Sequence, residues 1–481
     1  MANAPATASA LDRARAKAYV RLLPLLFLSY AIAYVDRINV SLAKLEMSKD
    51  LAGFNNAVIG FGAGVFFIGY FILEIPGTLL VEKWSARKWI SRIMISWGIV
   101  AALTASVKTP FQFYGVRFLL GLAEAGFFPG VIVYLTHWFP ARDRARALSW
   151  FFIATPVAQF ISPKLSYLLL RIGTTETIGN VTVQHPAIWG MQGWQWMYIA
   201  WGIPAVVMGI LVLFYLPDRP KDARWLEADE RDALEHELNR ERERHQQGHR
   251  HMTVVDSLKH SLQHPKVLML AAAYFFVVST SYGVEFFLPS ILEKWYDLPL
   301  SKLTWAVIIP PLGGLAGQLL VGWSSDRHGE RRLHGSVPIY LGAAALWCVL
   351  FIPASLSFNV RLALAISLFT MALTGMKAYM PAFWALPSLL LTEAAAAGSI
   401  GLINSVGNLG GFVGPFVLGF AENKTHSFLP GLMYLCVSML ISATIILTLD
   451  LGHRAAGPQP GAKAQAEALL DEEPDAVIEP V

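Results

Sequence analysis

The sequence predicts an all-α membrane protein, with twelve transmembrane helices in two pseudo-symmetric six-helix bundles. Three observations carry this. Of 481 residues, 55% are hydrophobic and 15% charged, whereas soluble domains carry about 25% charged residues. The apolar residues fall in blocks such as Val58–Leu80, Val267–Leu292 and Leu432–Leu449, and roughly 20 mostly apolar residues let a helix cross a bilayer. One long polar segment divides the blocks six and six, and the two halves echo each other.

In order, the expected spans lie near 20–45, 54–82, 88–107, 111–138, 144–171, 195–216, 265–293, 301–324, 333–355, 359–390, 394–421 and 428–450. The first follows a basic terminus (Arg13, Arg15, Lys17, Arg21) with no signal-peptide cleavage site, so it is expected to remain as a helix. In the second, Glu74 precedes Pro76 at an expected kink. The stretch "DERDALEHELNRERERHQQGHRH" reads as a solvated linker helix. The Ala-, Gly-, Pro- and acid-rich tail reads as disordered. The domain plan is 1–19 as an N-terminal segment, 20–216 as one bundle, 217–264 as a linker, 265–450 as the second bundle and 451–481 as the tail. Cys348 and Cys436 both lie in apolar spans and read as packing or lipid-facing residues.

Basic residues alternate by loop. Arg87, Lys88 and Arg92, then Arg142, Arg144 and Arg146, then Arg327, Arg331 and Arg332 cluster at one side, while Lys108, Arg361 and Lys424 stand alone at the other. The positive-inside rule then puts both termini and the linker in the cytoplasm. The net charge of +4 is spread over these loops, so no nucleic-acid partner is expected. No Walker A pattern, G-x-S-x-G motif or metal-spaced His/Cys cluster appears, so the chain reads as neither an enzyme nor an ATP-driven pump, and no cofactor or metal is expected. After the second span comes "LLVEKWSARK", and after the eighth "LLVGWSSDRHGERR": each places an acid at a helix end, then basic residues around a small turn residue.

Charges within the spans are the functional signal. One at the bilayer centre costs about 2.5–3.5 kcal/mol on insertion scales, and such residues survive where they face a cavity or a partner. The candidates are Asp36, Arg37, Glu74, Arg117, Glu124, Lys164, Glu285 and Lys377. Arg117 and Glu124, seven residues apart, share one helix face. Glycines 121, 126 and 130 let a neighbour approach that segment closely. Asp36 and Glu124 suit proton coupling: burial and nearby arginines act on them in opposite senses, so an anion engaging Arg37 or Arg117 would change which acid holds a proton. Arginine suits a carboxylate, meeting it with two hydrogen bonds. The reading is of a small carboxylate carried with protons. In the second half, Lys377 and Trp384 share a face. Lys377 either binds a second carboxylate or pairs with Glu285, and Trp384 either closes over a substrate or packs between helices. Asn404, among the glycines of "NSVGNLGGFVGP", either bonds substrate or bridges helices. Glu74, with no basic partner visible in its own span, reads as structural.

The two loops resemble the loop motif of the major facilitator superfamily, the first with Glu82 where Asp is common and Ser85 where Gly is common. The runs "YVDRINVSLAKL", "RFLLGLAEAGFFPGVIVYLTHWFPARDRARAL", "GWQWMYIAWGIPAV" and "FWALPSLLLTEAAAAGSIGLINSVGNLGGFVGP" resemble its anion:cation symporter family, which includes bacterial tartrate, phthalate, glucarate and galactonate carriers. The resemblance implies proton uptake by Asp36 and Glu124, substrate-facing Arg37 and Arg117, and cavity positions at Tyr34, Tyr70, Trp384 and Asn404. Lys164, Glu285 and Lys377 depart from the family's usual small or uncharged residues. The expectation is a monomeric, multi-pass carrier in a bacterial inner membrane that takes up a small organic anion with protons by alternating access. The loops around Glu82, Arg87, Asp326 and Arg327 would latch its cytoplasmic side. The alternatives are sodium- or potential-driven coupling, or a non-transporting membrane sensor.

Overall fold

The computed structural model describes residues 9–178, 181–248, 262–390 and 393–450; the Glu82 side chain and the C-terminal tail lie outside the described residues. Its helices are α1 Ala10–Asp50, α2 Asn56–Lys83, α3 Ala86–Leu103, α4 Pro110–Glu124, α5 Phe127–Thr136, α6 Ala141–Phe152, α7 Ala154–Leu170, α8 Gly193–Tyr215 and α9 Ala228–Gly248. There follow α10 Pro265–Tyr296, α11 Leu300–Ala306, α12 Ile309–His328, α13 Arg332–Val349, α14 Phe358–Ala378, α15 Met380–Leu390, α16 Glu393–Asn408, α17 Gly410–Thr425 and α18 Leu429–Thr448. Ten stretches among the described residues are long and apolar enough to cross a membrane. The other two expected spans are present as the broken pair α6–α7 and as α13, completing the twelve-helix, two-bundle architecture.

Five expected spans are not single helices. They break between α4 and α5, α6 and α7, α11 and α12, α14 and α15, and α16 and α17. Four breaks lie within four residues before a proline: Pro129, Pro156, Pro310 and Pro381. A proline has no N–H for the carbonyl four residues back and crowds it, so the helix parts there. At the first break Gly126 takes the left-handed region, φ 81°, which glycine tolerates without a Cβ clash. The fifth break precedes Gly410 and Gly411.

Two features depart from the sequence reading. A two-stranded antiparallel ribbon, β1 Thr175–Ile178 against β2 Val181–Gln184, occupies an expected loop. The linker helix α9 is not solvated all round. Leu234, Leu238 and Glu230 are buried, and Arg13 and Lys17 of α1 pair with Asp229 and Glu230 at 2.6 and 2.7 Å. Helix α1 starts at Ala10, well before the apolar run, and so reaches α9.

Alternate crossings place residues 50–56, 293–298 and 422–428 at one end, here the Asn56 end, and α9 at the other, the linker end. The bundles meet along α2 against α17 and α1 against α10. This seam is close: added Cβ atoms at Gly60 and Gly64 would collide with the Pro415 carbonyl and with Phe412, and one at Gly411 would lie 2.6 Å from the Phe67 ring.

Candidate functional site

The Arg37–Glu124 ion pair forms the centre of the site. Glu124 is the last residue of α4, before the Gly126 break. A carboxylate at the carbonyl end of a helix faces the negative pole of its dipole, so it needs a cation, and α1 supplies Arg37. The Arg37 side chain is 19% exposed and that of Glu124 only 3%. The guanidinium also donates to the Tyr282 hydroxyl of α10, in the other bundle, at 3.4 Å. It lies 5.6 and 5.5 Å from the Phe66 and Tyr70 ring centroids, within the range of cation–π attraction.

The neighbours of this pair divide differently from the sequence expectation. Arg117 is 2% exposed, donates weakly to the Gly62 carbonyl at 3.4 Å and sits 5.1 Å from the Phe66 ring centroid. Its Nη1 has no hydrogen-bond partner among the described residues. The sequence puts Arg117 and Glu124 together on one helix face, yet the ion pair of Glu124 is with Arg37. Asp36 turns away from Arg37, as adjacent helical residues do. It accepts a 2.6 Å hydrogen bond from the Trp97 indole of α3, and its other oxygen has no hydrogen-bond partner among the described residues.

In the second bundle Lys377 pairs with Glu285 at 2.7 Å, and the Ser281 hydroxyl donates to Glu285 at 3.3 Å. Lys377 sits in the last turn of α14, where the carbonyl ends favour a cation. Of the two sequence alternatives for Lys377, the structure contains the pair with Glu285. Tyr34 accepts from Gln159 at 3.0 Å, and Gln159 and Glu285 line one cleft with Ser41 and Ser162. Trp384 packs edge-on to Tyr274 at 5.1 Å.

Glu74 gains a partner that its own span does not contain. Asn404 donates to it across the seam at 2.7 Å and Ser405 at 3.3 Å. The sequence reading took Asn404 as substrate-bonding or helix-bridging; here it bridges the two bundles. Lys44, not singled out in the sequence, is 1% exposed and lies 3.5 Å over the Phe287 ring across the same seam, without a hydrogen-bond partner among the described residues. Its signal is a lone lysine within the apolar run "SLAKL". Lys164 lies 3.7 Å over Trp305.

The loop residues are tied locally. Arg87 pairs with Asp218 at 3.6 Å, Asp326 with Arg331 at 2.6 Å, and Arg327 lies 5.4 Å from the Trp323 ring.

The Major Facilitator Superfamily model matches residues 26–415. A protein of Agrobacterium vitis named "Putative tartrate transporter" is 38% identical over 434 residues, covering 90% of this chain and 94% of that one. The "Quinolone resistance transporter" of Acinetobacter baumannii is 37% identical, covering 89% and 92%. The inward open structure of the Escherichia coli xylose transporter XylE shares the fold, with a TM-score of 0.67 at 16% identity over 94% of this chain and 99% of that one. With a family model across most of its length and relatives above one-third identity along nearly all of it, the protein belongs to the major facilitator superfamily and is a membrane transporter rather than an enzyme.

Proposed function

We propose that the protein is a proton-coupled symporter that imports a small organic anion, a sugar acid or a tartrate-like dicarboxylate, across a bacterial inner membrane. The observation that carries this is the Arg37–Glu124 pair, in which the cation is the more exposed partner. An anion entering between the bundles meets Arg37 first and competes with Glu124 for it. Glu124, left without its cation at membrane depth, takes a proton, since an unpaired buried carboxylate is costly. Asp36, held by Trp97, relays that proton to Glu124, and Arg117, beside Phe66, holds the positive field. Tyr34, Tyr70, Trp384 and Asn404 shape the path. The relative named for tartrate fits this substrate class.

The linker and both termini are assigned to the cytoplasm by the loop charges. The tight Asn56 end then faces outward. The loops carrying Glu82, Arg87, Asp326 and Arg327 latch the cytoplasmic side. The test is Glu124→Gln in proteoliposomes: uptake driven by a pH gradient in sodium-free buffer is lost, while exchange of labelled for unlabelled substrate continues. Equal loss of both removes Glu124 from coupling, and wild-type uptake that needs sodium or a potential instead removes the proton.

A further inference from the structure

The second ion pair lies on the same helix that touches the first. Tyr282 of α10 receives the Arg37 hydrogen bond, and Glu285, three residues on, stands on the same helix face and binds Lys377. In both pairs the cation is the wetter member. Lys377 is 27% exposed against 10% for Glu285, as Arg37 is 19% against 3% for Glu124. The site thus holds two cations beside α10, Arg37 from one bundle and Lys377 from the other, each neutralised by a less exposed carboxylate. Monocarboxylate binding at Arg37 leaves the Lys377 pair without a role. A ligand with a carboxylate at each end uses both.

We propose that Lys377 and Glu285 form the site for a second substrate carboxylate and select dicarboxylates over monocarboxylates of equal length. This rests on the proposed function, with Arg37 as the anchor for the first carboxylate. The dianion replaces Glu124 at Arg37 and Glu285 at Lys377, and each displaced acid takes one proton. Two negative charges and two protons cross together, and no net charge moves. The charged and titratable groups facing Glu285 are Lys377 from α14, Tyr282 from its own helix and Tyr34 from α1, with Ser281 donating to it. Those facing Glu124 are Tyr30, Asp36 and Arg37 from α1, Arg117 from α4 and Tyr70 from α2.

The experiment measures binding and uptake of two matched pairs by the purified full-length protein: tartrate against threonate, and glucarate against gluconate. Each pair differs only in one terminal carboxylate. The wild type should prefer the dicarboxylate of at least one pair by about tenfold or more, the scale of one charge-assisted hydrogen-bonded pair. The isosteric double variant Lys377→Met/Glu285→Gln should collapse that preference, and Lys377→Arg should keep it. Dicarboxylate uptake should take up two protons and carry no current. Equal preference in the wild type, or equal loss of both acids in the double variant, overturns this assignment and leaves the Arg37 site standing. Failure of all four acids to bind the wild type overturns the underlying reading as well.

Discussion

Arg37 engages four partners at once: Glu124, the Tyr282 hydroxyl and the faces of Phe66 and Tyr70. A planar fork does this, and an ammonium on a flexible stem does not. Arg37→Lys keeps the charge and the fold but should weaken anion binding by about tenfold or more, read as the shift in ligand concentration needed for thermal stabilisation. Unchanged affinity would show that charge alone suffices. The quartet Asp36, Arg37, Arg117 and Glu124 is legible in the sequence because charge in an apolar run is conspicuous. Which arginine meets Glu124 is not, since that depends on how α1 turns against α4. The role of Glu74 is hidden for a related reason: its partners Asn404 and Ser405 lie in the other half of the chain.

At the scale of elements, the five helix breaks were written in the sequence as proline or paired glycine, and reading the spans as continuous missed them. The consequence is functional, because Glu124 ends α4 and Lys377 lies in the final turn of α14, beside breaks. Irregular backbone at membrane depth is tolerated where protein or a cavity surrounds it. The linker helix shows the opposite case, a charge run whose pattern suggested solvent but which docks. Lys17 donates to Glu230 and, with Arg13, holds its carboxyl below the usual carboxylate range. A carboxylate held low contributes stability that is present at neutral pH and lost as pH falls through its folded value. Docking of α9 should therefore persist at pH 7 and loosen below about pH 4, seen as faster proteolysis within Ala228–Gly248. Glu230→Gln should show the faster cleavage already at pH 7. Identical cleavage at both pH values would mean that Leu234 and Leu238 alone hold the helix.

The whole molecule is set by the seam. Close glycine contacts of α2 with α17, the Lys44–Phe287 contact, the Lys49–Glu293 pair at 3.5 Å and the Asn56–Glu422 hydrogen bond at 2.6 Å all fasten the Asn56 end. Buried core residues run across this seam from Val40 and Ile59 to Leu270 and Phe287, but Gly60 meets the Pro415 backbone of the other bundle, so a methyl group there should act first on the equilibrium between states. In a background without Cys348 and Cys436, Gly60→Ala should lower short-reagent cross-linking of Lys49→Cys to Glu293→Cys severalfold while thermal stability changes little. Unaltered cross-linking would mean that α2 and α17 adjust locally. The sequence by itself determined the spans, their number, their division into halves and which residues carry charge into the membrane, because hydropathy and the cost of buried charge act along the chain. Only the tertiary structure decided which cation meets which acid, which of them is wet and where the bundles close, because those depend on contacts between segments that the chain order does not place side by side.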